Sequence, residues 1–243
     1  MKFNILILLL VVVLASCSKD PSDCFRSTGT IITETRALDD FSNILISDNI
    51  DVELISTSGS PKAEITGGEN LMPGIITLVK ENRLEIANQN SCNWARSFNK
   101  PLKIKLHYKR IDSIEYRSVG NVTCLDTLKT DTLWLSINEG GGSLSLLIKT
   151  SKSFINHQFG TADVHLYGFS QVNYIYQASY GPVIADSLTT NFNYLENRGT
   201  NHCWVNAALQ LGVTISGPGN VYYRGNPEIS YIRNGSGNLI KLD

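Results

Sequence analysis

The stretch Gly217-Pro218-Gly219-Asn220-Val221-Tyr222-Tyr223, answered 18 residues later by Gly235-Ser236-Gly237-Asn238-Leu239-Ile240-Lys241, decides the fold. Each copy sets glycines and an asparagine before a short run of strand-forming residues, which reads as a turn feeding a strand. Toward the N-terminus the same arrangement recurs at Gly199, Gly181, Gly160, Gly141 and Gly120, in steps of 18, 18, 21, 19 and 21 residues. Regular spacing of this kind marks a solenoid, in which no single repeat buries its own apolar face and stacked repeats share one core. Coils of this length fit about three short strands per turn, with rungs ~4.8 Å apart. A sandwich of hairpins would favour two-residue Asn-Gly or Asp-Gly turns, and Asn234-Gly235 is the chain's one example.

Alternation with period two runs through the rest of the chain, and no window sustains a helical period. Ile50-x-Val52-x-Leu54, Leu84-x-Ile86, Leu102-x-Ile104-x-Leu106-x-Tyr108 and Leu133-x-Leu135-x-Ile137 each place apolar groups on one side of a strand. The chain is therefore all-β. Residues 25–106 show weaker periodicity, with hairpin-like turns near Glu81-Asn82-Arg83 and at Ser58-Gly59-Ser60-Pro61. They are expected to form an N-terminal β cap over the coil stack, with 107–243 as the repeat coils of one domain spanning 25–243.

The first residues read differently. Lys2 precedes an apolar run from Ile5 to Leu14, and Ala15-Ser16 leads into Cys17. Residues 1–16 form a secretory signal, and Leu14-Ala15-Ser16-Cys17 resembles a bacterial lipobox. Acylated Cys17 would then hold the chain to a membrane through residues 17–24, a polar tether. Ser18-Lys19-Asp20-Pro21-Ser22-Asp23 also resembles the surface-export signals of some Gram-negative lipoproteins. The expected location is the outer membrane, lipid-anchored, with the cell surface as the further possibility that this segment raises.

A formal net charge of −1, with acids and bases scattered, removes the electrostatic warrant for nucleic acid as a partner. The cysteines make no Cys-x-x-Cys pair and the four histidines no ligand spacing, so neither metal nor cofactor is expected. Cys124 and Cys203 each stand four residues after a turn glycine, in matching places four coils apart. That is ~19 Å at the rung spacing, beyond the ~7 Å a disulfide tolerates. Cys24 and Cys92, both N-terminal, are expected to pair.

Two stretches carry a family resemblance. Phe41-x-x-Ile44-x-Ile46-x-x-x-Ile50-Asp51-Val52-x-Leu54, followed by Gly68-Glu69-Asn70-Leu71, resembles the N-terminal signature of the head GIN domain family of putative auto-transporter adhesins. Gly219-Asn220-Val221-Tyr222-Tyr223-x-Gly225-Asn226-Pro227, with Gly235-Ser236-Gly237-Asn238, is similar to its closing repeat. The resemblance covers nearly the whole mature chain. It implies a right-handed β-helix-like solenoid on envelope lipoproteins of gut-type bacteria, with no established activity. Asp48-Asn49 replaces small glycines of the family pattern, so a different backbone turn is expected there.

Asn121, Asp163, His202, Asn220 and Asn238 fall at similar places after their glycines, whereas Leu144 and Ile184 break the column. Asn and Asp there are read as turn residues in preference to a polar groove. Among the acids of the repeat region only Asp163 and Asp186 fall at comparable places in successive coils, and glycoside hydrolysis needs two carboxyls ~5–9.5 Å apart. No Gly-x-Ser-x-Gly elbow is present. Tyrosines and other rings gather late in the chain, and adjacent Tyr222 and Tyr223 must face opposite sides of a strand, so at least one meets solvent.

The reading that follows is a non-catalytic envelope lipoprotein whose solenoid surface binds a glycan or an envelope protein. Asp163, Asp186, Tyr222 and Tyr223 are its candidate binding residues. The alternatives are a glycan-active enzyme of the lyase or hydrolase class and a purely structural envelope component.

Overall fold

A computed structural model describes residues 27–90 and 102–243. Among them run seventeen strands: β1 (Ile31–Ala37), β2 (Asn43–Asp48), β3 (Asp51–Ser56), β4 (Lys62–Gly68), β5 (Ile75–Lys80), β6 (Arg83–Asn88), β7 (Lys103–Tyr108), β8 (Ser113–Ser118), β9 (Val122–Cys124), β10 (Leu128–Gly140), β11 (Ser143–His157), β12 (Asp163–Gln177), β13 (Val183–Asn197), β14 (Cys203–Ile215), β15 (Val221–Arg224), β16 (Glu228–Arg233) and β17 (Leu239–Lys241). They wind as a β-solenoid of about six turns.

From β8 onward each coil lies parallel on the one before it, about 20 residues earlier in sequence. Alternation then stacks like on like. Val52, Val122, Leu144, Val164, Val183, Cys203 and Val221 occupy one inward column, and all are buried. Ile114, Leu135, Ile155, Ile175, Leu195 and Val213 occupy another. Each such side chain contributes roughly 1.5–3 kcal/mol by leaving water. The strands bend between faces where pairing skips Asp131, Ser151, Gln171 and Asn191, and at Gly168, whose φ of +99° favours glycine.

The turns explain the glycine spacing. A Cβ on Gly217 would lie 2.5 Å from the carbonyl oxygens of Arg198 and Gly199 in the coil below, and one on Gly235 would strike that of Gly217. Backbone stacked this closely admits no side chain. Inside these turns, polar residues satisfy the chain: Tyr116 donates its hydroxyl to the Gly120 carbonyl, Gln177 its amide to Gly181, and Asn197 its amide to Asn201.

The N-terminal stretch contributes both cap and core. β2 and β3 sit inside the stack, with β6 and β7 on one side of them and β8 and β9 on the other. The capping elements are β1, antiparallel to β4, β4 itself, which is also antiparallel to β7, β5, antiparallel to β6, and a 3-10 turn (Glu69–Gly74) that buries Leu71 and Met72. Glu81 and Asn82, both at positive φ, make the expected hairpin turn between β5 and β6. Ser58 to Pro61 does not make one: β4 pairs with β1 and β7, so the turn carries the chain past β7, which lies between β3 and β4. At Asp48 a non-glycine residue sits in a glycine-like conformation. Asp48 takes φ +65°, the left-handed region a glycine would use, while its carboxylate accepts the Asn88 amide at 2.9 Å.

Candidate functional site

Face residues on the outside of β10 to β14 and β16 form two columns. The first runs Trp134, Phe154, Tyr174, Tyr194, Gly212, Ser230, and the second Ser136, Asn156, Tyr176, Glu196, Thr214, Ile232. Register creates the first column, because its four aromatic residues recur every 20 positions. Their rings stack with centroids 4.0, 4.9 and 5.3 Å apart and planes inclined by 8°, 4° and 20°. Between and above the columns lies a trough of about 550 Å³, floored by the strands that carry Ile155, Ile175, Leu195 and Val213.

The two walls differ in chemistry. Stacked rings consume one another's faces, so Phe154 and Tyr174 offer the trough only their edges, which carry the positive end of the ring quadrupole. The opposite wall offers a hydroxyl on Ser136, Tyr176 and Thr214, the amide of Asn156 and the carboxylate of Glu196. Among the described residues Glu196 is the one charged member of the lining, and Arg198 pairs with it from outside the trough at 3.6 Å. One wall thus suits an apolar surface and the other a row of hydroxyls.

A second aromatic group lies on another face, on β14 and β15. Trp204 and Tyr222 stack at 5.3 Å and 12°, with His202 edge-on to both. Tyr222 faces outward, while Tyr223 packs against the core, as their adjacency requires. Neither lines the trough.

The two carboxylates singled out from the sequence are not brought together as a column. Asp163 is exposed at the start of β12, in register with Ser143, whereas Asp186 lies three residues beyond Val183 at an irregularity in the pairing and holds Arg224 at 3.4 Å. The asparagine column proves to be a chain of turn contacts. Asn238 donates its backbone N–H to the Asn220 side chain at 2.9 Å, Asn220 to His202 Nδ1 at 3.0 Å, and Ser143 to Asn121 at 3.2 Å.

Cys124 and Cys203 are free thiols, and they occupy neighbouring inward columns, those of Leu54 and Val183. Burial pushes the Cys124 thiol up to about 12, far from the reactive range. Cys17, Cys24 and Cys92 lie outside the described residues.

Sequence reasoning passed over Trp134 and Phe154, and so missed the ladder. The signal was the interval of 20 residues linking 134, 154, 174 and 194, which the count of turn glycines alone does not expose.

A protein of Bacteroides fragilis NCTC 9343 described as a putative adhesin superposes with a TM-score of 0.80 at 22% identity, over 88% of this chain and 97% of that one. A protein of Parabacteroides distasonis ATCC 8503 described as a putative lipid binding protein gives 0.71 at 18%, over 89% and 98%. A putative adhesin of Parabacteroides merdae ATCC 43184 gives 0.67 at 19%, over 89% and 98%. These likenesses establish a shared fold. No curated protein matches. The family described as putative auto-transporter adhesin, head GIN domain, matches residues 40–227, and the chain belongs to it.

Proposed function

We propose that this protein is a non-catalytic, lipid-anchored adhesion domain of the outer envelope whose aromatic trough binds a glycan. The observation that carries this reading is the pairing of an apolar ring wall with a hydroxyl, amide and carboxylate wall over about 550 Å³. A sugar has the same two aspects, a C–H face and a rim of hydroxyls, and a rigid site costs little to order on binding. The lipobox-like tetrad ending at Cys17 supports anchoring, and the stepped positions of Asp163 and Asp186, one of them engaged by Arg224, favour binding over cleavage.

The Parabacteroides distasonis neighbour described as lipid binding raises a second occupant, because an acyl chain could lie along the ring edges. The amide, hydroxyl and carboxylate wall favours the glycan. The test is a screen of the purified protein on a glycan array, run beside flotation with neutral phosphatidylcholine vesicles. Binding to glycans that Tyr176→Ala weakens is the expected outcome. Vesicle flotation without glycan binding, or binding to neither, would refute the reading.

A further inference from the structure

The aromatic ladder has two ends, and they differ. At one end Trp134 faces Ser113 of β8, and the carboxylate in the neighbouring column, Glu115, is fully occupied: Arg83 at 2.7 Å, Arg117 at 2.7 Å and Asn138 at 3.1 Å all hold it. The trough does not extend there. At the other end Tyr194 is followed in register by Gly212 and Ser230, so no ring among the described residues stacks on its outer face, and the trough continues over both residues.

Tyr194 is also set apart by its pose. Its ring is tilted 20° from Tyr174, and a Cβ on Gly212 would lie 2.8 Å from its Cδ1. Any side chain at 212 would push the ring back. Its hydroxyl donates to Gln210 Oε1 at 3.1 Å, on the next coil, which holds the tilt. The result is a fixed aromatic face that leans across Gly212 toward Ser230, with the trough open beyond it. Glu196 and Thr214 border that opening from the second column, about 7 Å away along the strands, with Ser230 beneath.

Resting on the glycan reading of the trough, we propose that Tyr194 is the platform on which one pyranose ring of a neutral glycan stacks, seated over Ser230 against the ring face that Tyr194 turns across Gly212. The sugar's C–H face meets the electron-rich face of the phenol ring. Its rim hydroxyls reach the Glu196 carboxylate, which accepts charge-assisted hydrogen bonds, and the Thr214 hydroxyl. Since the one charge in the described lining is the Glu196 carboxylate, and the cation nearest it, Arg198, is already paired with it, the trough offers nothing to uronic, sialylated or sulfated sugars and selects neutral ones.

The experiment is titration calorimetry of the purified full mature chain with neutral gluco-, manno- and galacto-configured tetrasaccharides, with circular dichroism to confirm the fold of each variant. Tyr194→Ala and Ser230→Trp, the second of which fills the opening from an exposed position, should each weaken binding about tenfold or more. Tyr194→Phe should change it less than about threefold, and so should Tyr180→Ala, an exposed turn ring outside the trough. A sialylated tetrasaccharide should not bind. Wild-type affinity in both Tyr194→Ala and Ser230→Trp overturns the platform. If Tyr176→Ala still weakens binding in that case, the glycan trough survives without it. Absence of binding by every neutral glycan to the unaltered protein overturns both.

Discussion

His157 stands in an inward column between Ile137 and Gln177, fully buried, with neither ring nitrogen hydrogen-bonded among the described residues. Burial lowers its pKa to about 4. The folded protein therefore holds it neutral, while the unfolded chain protonates it near 6.5. A depressed folded value leaves stability intact above about pH 6.5 and erodes it as the pH falls toward 4. Between pH 7 and pH 5 the loss from this one residue is about 2 kcal/mol. His157→Gln, which copies the neighbouring Gln177, should show a smaller fall in urea midpoint across that interval than the unaltered protein. Equal falls would show that acid sensitivity resides elsewhere. Residues such as Gly217 were legible from sequence, because a backbone contact that excludes any Cβ leaves a glycine wherever it occurs. His157 was not, since alternation marks an inward position without revealing what surrounds it.

Among elements, the stacked strands β10 to β13 owe part of their cohesion to the ring ladder on their outer face. Tyr174 is one of its two inner members and touches Phe154 on one side and Tyr194 on the other. Each ring pair is worth about 0.5–1.5 kcal/mol beyond area burial, so Tyr174→Ala should cost roughly 1–3 kcal/mol in denaturant unfolding. Tyr167→Ala removes an exposed tyrosine that stacks with no ring among the described residues, and should cost less than about 1 kcal/mol. Comparable losses from the two would mean that the ladder is ornament to the sheet. Period two marked β3, β6, β7 and β10, and the glycine spacing marked later coils. Which strand lies beside which was less so: Ser58 to Pro61 has the composition of a hairpin turn, but composition records only that the chain reverses, and β7 intervenes.

At the scale of the molecule, the order of rungs departs from the order of the chain, since β6 and β7 lie outside β2 and β3 while β8 and β9 lie on their other side. Alternation carries no trace of this, because an inward valine suits any parallel neighbour. The later coils do follow chain order, and their shared columns make the length of the rod a counted quantity. Excising residues 158–177 joins His157 to Ala178 and sets Phe154 beside Tyr194 and Leu144 beside Val183, with every inward position still inward. The shortened chain should fold cooperatively by circular dichroism and scatter as a rod shorter by ~4.8 Å. An unfolded or aggregated product would count against the register described above. Length is then a matter of integers: such a rod grows or shrinks by whole coils, its turns absorb the odd residue, and each coil gained or lost moves the far end by one rung.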